Sequence, residues 1–272
     1  MWKSRTGALR ALALVAMLLP TLAQAACPGL VAGPAPRVAL ASLDLHGLAQ
    51  APAKAGAAIT FLGHASYLIE SPGGVTLVTD YNGYNVPAIA PDIATMNNAH
   101  STHYTDHPPP GIGRVLRGWS GSGGPARHDF RHRDLRVFNV PTNTRDLYGG
   151  GGTRDFGNSI FVIETAELCI AHLSHLHHDL NDEQMSDLGT IDVLIVPVDG
   201  VYTMSHETAF KVMAQIRAPL MIPTHYQGRF TLDKFLERAK PLYPISMHGS
   251  ARLVVTRADL PDKPAILVLD GY

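Results

Sequence analysis

Cysteine is scarce: the 272-residue chain has two, Cys27 and Cys169. One potential bridge in a chain of this size is no disulfide framework, although an oxidising compartment would permit the pairing. Cys169 lies inside an apolar strand-like run and reads as a core residue. A surplus of charge of one sign is missing too. Lys and Arg number 22 against 23 Asp and Glu, for a formal net charge of −1, and no basic run follows the N-terminal segment. That excludes the electrostatic footprint of an extended nucleic-acid surface, so nucleic acid is not expected as a partner. Long hydrophobic runs are also absent. The run from Ala11 to Leu22 is shorter than the roughly 20 residues a membrane span requires, and Pro20 interrupts it. No stable span is expected in the mature chain. No internal repeat is visible.

That run has the layout of a secretory signal. Lys3, Arg5 and Arg10 precede it, and the small residues Ala23, Ala25 and Ala26 follow, which predicts export and cleavage after Ala25. A periplasmic or secreted location follows. The competing reading, a lipoprotein acylated at Cys27, meets Gln24 where such a signal wants an aliphatic residue. Residues 26–56, rich in Ala, Pro and Gly, read as an extended N-terminal arm. The domain is expected over 57–272, long enough for one large core.

Short β-branched or aromatic runs over Ile59–Leu62, Tyr67–Glu70 and Val75–Thr79, separated by Gly63 and by Ser71-Pro72-Gly73-Gly74, predict a β-meander closing on Asp80. Asp92–Met96 is a further strand. Residues 108–133 show no clear period and read as a long loop. Within it Gly121-Ser122-Gly123 resembles a serine-protease nucleophile loop, but Gly121 stands where that loop has Asp, so a flexible loop is expected. Trp119 could cap a substrate or anchor the loop. Strands follow at Arg136–Val140, Ser159–Glu164 and Leu168–His172. Asn181 with Gln184 forms a capping-box-like helix start. Ile191–Val198 is a continuous apolar strand suited to a sheet covered on both faces. Helical spacing marks Glu207–Arg217 and Leu232–Ala239, and Pro219–Pro223 is a strand delivering His225. The sum is an α/β layered domain.

Histidine is what the chain has in quantity, 14 residues. Three groups follow strand ends: His100 and His103, His172 to His178, and His225. A metal site needs donors converging from separate rigid elements, and strand ends on one edge of a sheet supply that.

Here the sequence resembles the metallo-β-lactamase-fold hydrolases, in particular the branch containing L-ascorbate-6-phosphate lactonase. GHASYLIE (63–70) resembles their opening strands. IAHLSHLHHDLNDEQ (170–184), DVLIVPVDGVYTM (192–204) and IPTHY (222–226) match that branch in order and spacing. The resemblance runs from about Ile59 to about Tyr226 and implies an αββα sandwich with a metal site on its open edge. The family's H-x-H-x-D-H motif falls on Asn98, His100, Thr102 and His103. A rival register ending at Asp106-His107 loses both earlier histidines and is not preferred. A further family histidine falls on Thr144, and the bridging aspartate falls on His175.

The resemblance therefore leaves the first of two family metal positions with only His100. The second keeps His103 and His225 and gains His175. One divalent transition metal is expected, zinc first, held by His103, His175 and His225, with His100 as a fourth ligand or a supporting group. Asp80 and His64 are the candidates for proton-handling or orienting roles. The implied activity is hydrolysis of a small ester, lactone or phosphoester by metal-activated water. The alternative is a non-hydrolytic metal-binding sensor or scavenger, which Thr102 in the place of a carboxylate favours. A degenerate protein that binds without metal is the third reading.

Overall fold

The computed structural model describes Cys27 and residues 56–145 and 152–271. The predicted signal segment, most of the arm and most of the glycine run at Gly149–Gly152 lie outside the described residues. The strands are β1 (Ala57–Gly63), β2 (Ser66–Glu70), β3 (Thr76–Thr79), β4 (Ile93–Met96), β5 (Arg114–Arg117), β6 (Asp129–His132), β7 (Leu135–Arg145), β8 (Thr153–Thr165), β9 (Leu168–His172), β10 (Val193–Pro197), β11 (Leu220–Thr224), β12 (Ile245–Met247), β13 (Arg252–Val255) and β14 (Ala265–Val268). Three helices follow β9 in the chain: α1 (Asp182–Leu188), α2 (His206–Ile216) and α3 (Arg229–Ala239).

The strands form two sheets, in the orders β13-β1-β2-β3-β4-β5 and β12-β14-β11-β10-β9-β8-β7-β6. The facing sides share one core, in which Ile59, Ile69 and Leu77 of the first sheet join Phe161, Ile163 and Val193 of the second. A second apolar cluster covers the other face of the first sheet, where Val78, Ala94 and Met96 pack with Tyr81 and Ile112. Trp119 belongs to that cluster and stands edge-on to Tyr104 at 5.3 Å. It anchors its loop.

The continuous apolar run predicted for the buried strand is β10, parallel to both β9 and β11 and buried at every position. Such a strand needs cover on both faces, because its side chains alternate between them. The Asn181/Gln184 capping box is present in both directions at the start of α1. It satisfies two backbone donors that a helix start otherwise leaves bare. The stretch read as one loop over 108–133 holds β5 and β6. Cys169, read as core, is buried and also disulfide-bonded to Cys27, with Cα atoms 5.8 Å apart.

The register brings chain segments with polar ends to one edge. His172 pairs with Ile195 of β10, and Pro197 pairs with Thr224 of β11. The C-terminal ends of β9, β10 and β11 therefore open side by side. In α/β sheets this is the edge where ligands bind.

A candidate metal centre at the strand ends

Six of the segments that follow strands build the site. Strand β1 ends in an irregularity of its pairing with β2 between Phe61 and Gly63. Such an extra residue re-aims the chain, and here His64 follows with φ 53°. Its carbonyl accepts from the His225 amide at 2.9 Å and from the Thr224 hydroxyl at 2.9 Å, which ties the ends of β1 and β11 across the two sheets. Asp80, Ser174 and His225 also hold positive φ angles, of 46°, 52° and 55°. Non-glycine residues in that region carry strain, and strain of this kind gathers at functional sites.

His103 is fully buried, and its Nδ1 lies 2.7 Å from Asp80 Oδ2. The carboxylate also accepts from the Ser174 hydroxyl at 2.8 Å and from the Asn97 amide at 3.1 Å. Asp80 sits behind His103, and its place is that of an orienting group. His225 has a looser counterpart, with Nδ1 3.3 Å from Asp199 Oδ1 but outside hydrogen-bond geometry. Asp199 is held by the amides of Val201, Tyr202 and Thr203 and by the Thr203 hydroxyl. A carboxylate behind Nδ1 selects the tautomer with the proton on that nitrogen, leaving the Nε2 lone pair to point away.

Those two Nε2 atoms face each other at 3.2 Å. Two lone pairs at that distance repel unless a proton or a metal cation lies between them. Two imidazole nitrogens about 2.05 Å from one tetrahedral ion stand about 3.3 Å apart, so the spacing fits. His64 adds a third donor: ligand atoms of His64, His103 and His225 all lie within 4.8 Å of one another. Its Nε2 is buried and has no hydrogen-bond partner among the described residues, and the same holds for His175 Nδ1. Buried polar atoms are normally satisfied, so these two are open to a ligand. The His175 ring stands perpendicular to those of His103 and His225, at 5.0 and 5.3 Å. His100 is farther out, 5.8 Å from His175, with Nδ1 3.0 Å from the Thr102 hydroxyl.

Burial, then the neighbouring imidazoles, favour the neutral form of His64, His100, His103 and His175. The His64 pKa is pushed down to about 4 and that of His175 to about 2, and His103 and His100 are lowered as well. Burial raises Asp80, against the opposing pull of His172, Ser174 and Asn97. Burial also acts upward on Asp199, yet its contacts with His225 and Thr203 outweigh this and hold it below the usual carboxylate range. Neutral imidazoles with free lone pairs are the form that binds metals.

The two positions where resemblance places histidines of a further metal site, Asn98 and Thr144, do meet in space. Both are buried, and the Asn98 amide donates to the Thr144 hydroxyl at 3.2 Å. The pair satisfies itself. Beside the imidazoles lies a cavity of about 180 Å³ lined by His64, His100, Thr102, His175, Tyr202, His225 and Gln227. Sequence reasoning gave no role to Asp199, Tyr202 or Gln227. Asp199 had a signal, since the aspartate of VPVDG directly follows a buried parallel strand. The two lining residues carried none.

Residues 58–225 match the family model described as the beta-lactamase superfamily domain, which is more than half of the chain. The chain belongs to the beta-lactamase superfamily. A relative from Methanoculleus marisnigri, named a UPF0173 metal-dependent hydrolase, is 26% identical over 196 residues, covering 67% of this chain and 86% of the relative. One of the same name from Pyrococcus horikoshii is 23% identical over 194 residues, covering 62% and 84%. Among solved structures, a Thermotoga maritima protein assigned to the metallo-beta-lactamase superfamily superposes with a TM-score of 0.57 at 24% identity, covering 79% of this chain and all of that one. The αββα expectation stands on this likeness, and the superfamily match ends at His225, the last of the converging histidines.

Proposed function

We propose that this protein is a metal-dependent hydrolase acting on a small ester, lactone or phosphoester through one divalent ion, zinc first. The observation that carries the reading is the 3.2 Å approach of His103 Nε2 to His225 Nε2, each ring backed by a buried carboxylate. The names of the relatives support the class of reaction, and the likeness of IAHLSHLHHDLNDEQ to the ascorbate-phosphate lactonase branch supports a lactone or ester. When bound, a divalent ion lowers the pKa of water toward about 7 and polarises a carbonyl or phosphoryl oxygen.

The chain's own residues do the rest. His103 and His225 would hold the ion with His64, expected from the sequence as a proton-handling or orienting group, as the third donor, because its ligand atom lies within 4.8 Å of theirs. His175, expected as that third ligand, faces the same space. Asp80 and Asp199 fix the two imidazoles in the tautomer and orientation that binding requires. His100, partly exposed on the cavity wall and bonded to Thr102, handles the proton. Metal analysis of the purified protein, followed by a hydrolase substrate panel with and without chelator, tests this. Turnover that survives complete removal of metal rejects it.

A non-hydrolytic metal sensor or scavenger is the second reading. The observation favouring it is Thr102, which fills the place of a family carboxylate and is occupied by His100. Tight metal binding without turnover on any panel member would select it.

We also propose export. The support is the Cys27–Cys169 disulfide, since such bonds persist in oxidising compartments. A Cys27 thiol consumed by a disulfide cannot also carry a lipid, so the bond speaks against the lipoprotein alternative. Intact-mass analysis of envelope protein should show Ala26 first and no lipid.

A further inference from the structure

Among the described residues, the cavity beside the imidazoles is lined without a single Lys, Arg, Asp or Glu. Its polar groups are four imidazoles, the Thr102 hydroxyl, the Tyr202 phenol and the Gln227 amide. Sites that take phosphate or carboxylate groups present Arg or Lys to them. The neighbouring cations already have partners: Arg229, two residues beyond Gln227, bonds Asp233 at 2.8 Å, Lys234 lies over one face of the Phe230 ring at 4.3 Å, and Arg145 donates to the backbone carbonyl of Val201 at 3.2 Å.

The loops that supply the cavity wall also carry exposed apolar side chains. Tyr202 lines the cavity and is 48% exposed, and Val201 before it is 65% exposed. Phe230, 72% exposed, follows the lining residue Gln227 by three positions. Tyr84, 80% exposed, belongs to the loop that Asn82 ties to the site. The Asn82 side chain accepts from the Tyr84 and Asn85 amides and donates to the carbonyl of the lining residue Thr102. Scattered exposed apolar residues need no explanation. A group of four, with Tyr202 lining the cavity and the others on the adjoining loops and the first turn of α3, is a different matter, because apolar surface collected around a site marks ligand contact.

We infer that the substrate is an uncharged ester or lactone bearing an apolar acyl or alkyl group, with the reacting carbonyl at the imidazole cluster and the hydrocarbon lying on Tyr84, Val201, Tyr202 and Phe230. This rests on the hydrolase reading. Water adds its oxygen to the carbonyl carbon, the bond from that carbon to the ester oxygen breaks, and the departing oxygen takes a proton, giving acid and alcohol. The rival is an anionic phosphoester, for which the N-terminus of α3 behind Gln227 would be the nearest anion-friendly element.

The test uses the metal-loaded protein with p-nitrophenyl acetate, butyrate and octanoate beside p-nitrophenyl phosphate and bis(p-nitrophenyl) phosphate. A fully buried methylene is worth about fourfold, so partial burial on the rim should raise kcat/KM at least about tenfold from acetate to octanoate. Combining Tyr84→Ser with Phe230→Ser should lower that octanoate-to-acetate ratio. Both side chains are exposed, so circular dichroism should stay unchanged. Binding of acetohydroxamate and octanohydroxamate, read by calorimetry, gives the same comparison without turnover. Metal-dependent turnover with no gain along the series, or with a phosphoester preferred, overturns the inference and leaves the hydrolase reading standing. No turnover on any ester, with octanohydroxamate still bound more tightly, overturns the hydrolase reading and leaves the apolar subsite. Equal binding of both hydroxamates together with a flat series overturns the inference.

Discussion

Two carboxylates decide what the histidines at this site can do. Asp80 and Asp199 take the Nδ1 side of His103 and His225, so Nε2 of each ring is left to a metal. Removing such a partner leaves the ligand in place but unoriented, and typically lowers metal affinity about 10- to 100-fold. Asp80→Asn and Asp199→Asn should therefore lose metal to a competing chelator at correspondingly lower concentrations. Unchanged competition curves would mean that the carboxylates only fill space. His107, exposed and outside the converging group, should be replaceable by Ala with no change in metal content; a loss there would revive the rival register ending at Asp106-His107. Single residues show where sequence reading reached its limit. His103 and His225 were legible because they follow strand ends in recognisable motifs. The convergence of His64 with them was not, because it depends on a backbone irregularity at Gly63 and a positive φ, which no periodicity reveals.

Among the elements, the ends of β4 and β7 carry the sharpest difference from the family pattern. Asn98 and Thr144 hydrogen-bond each other where the resemblance places two histidine ligands, and His100 remains nearby. Restoring both, as Asn98→His with Thr144→His, should raise the metal content by about one ion per chain, because a three-imidazole site then exists beside the first. An unchanged content would show that these positions are not the lost ligands. Strand β9 carries a second consequence. Its Cys169 is tied to Cys27 across a sequence separation of 142 residues, and closing a loop of that size stabilises by at most about 5 kcal/mol in the chain-entropy view. Cys27→Ser should lower the urea midpoint markedly, and reductant should do the same to the parent protein. The continuous strand β10 and the capped helix α1 were readable because each has a strong local pattern. Strands β5 and β6 were hidden, since each has four residues, and β6 reads Asp-Phe-Arg-His with no buried position. Pairing with β4 and β7 makes them strands, and pairing is not local.

For the whole molecule, the cost of holding so many neutral imidazoles in one interior should appear in its pH dependence once metal is stripped. His64 and His172 titrate near 4 in the folded chain, against 6.5 when exposed. Between those values the unfolded chain binds more protons than the folded one, so stability must fall as pH drops from about 6.5 toward 4. His103 and His175 act in the same direction. Asp80, raised by burial, has the opposite sign, but it is one group against four. The urea midpoint of chelator-treated protein should decline steadily from pH 7 to pH 4.5, and a flat or rising midpoint would contradict the neutral cluster. The central claim, that His103 and His225 close on a single ion, is tested most directly by elemental analysis of the dialysed parent protein beside His103→Ala and His225→Ala. The account predicts about one transition-metal ion per chain in the parent and essentially none in either variant. Two ions in the parent, or full retention in both variants, would contradict it.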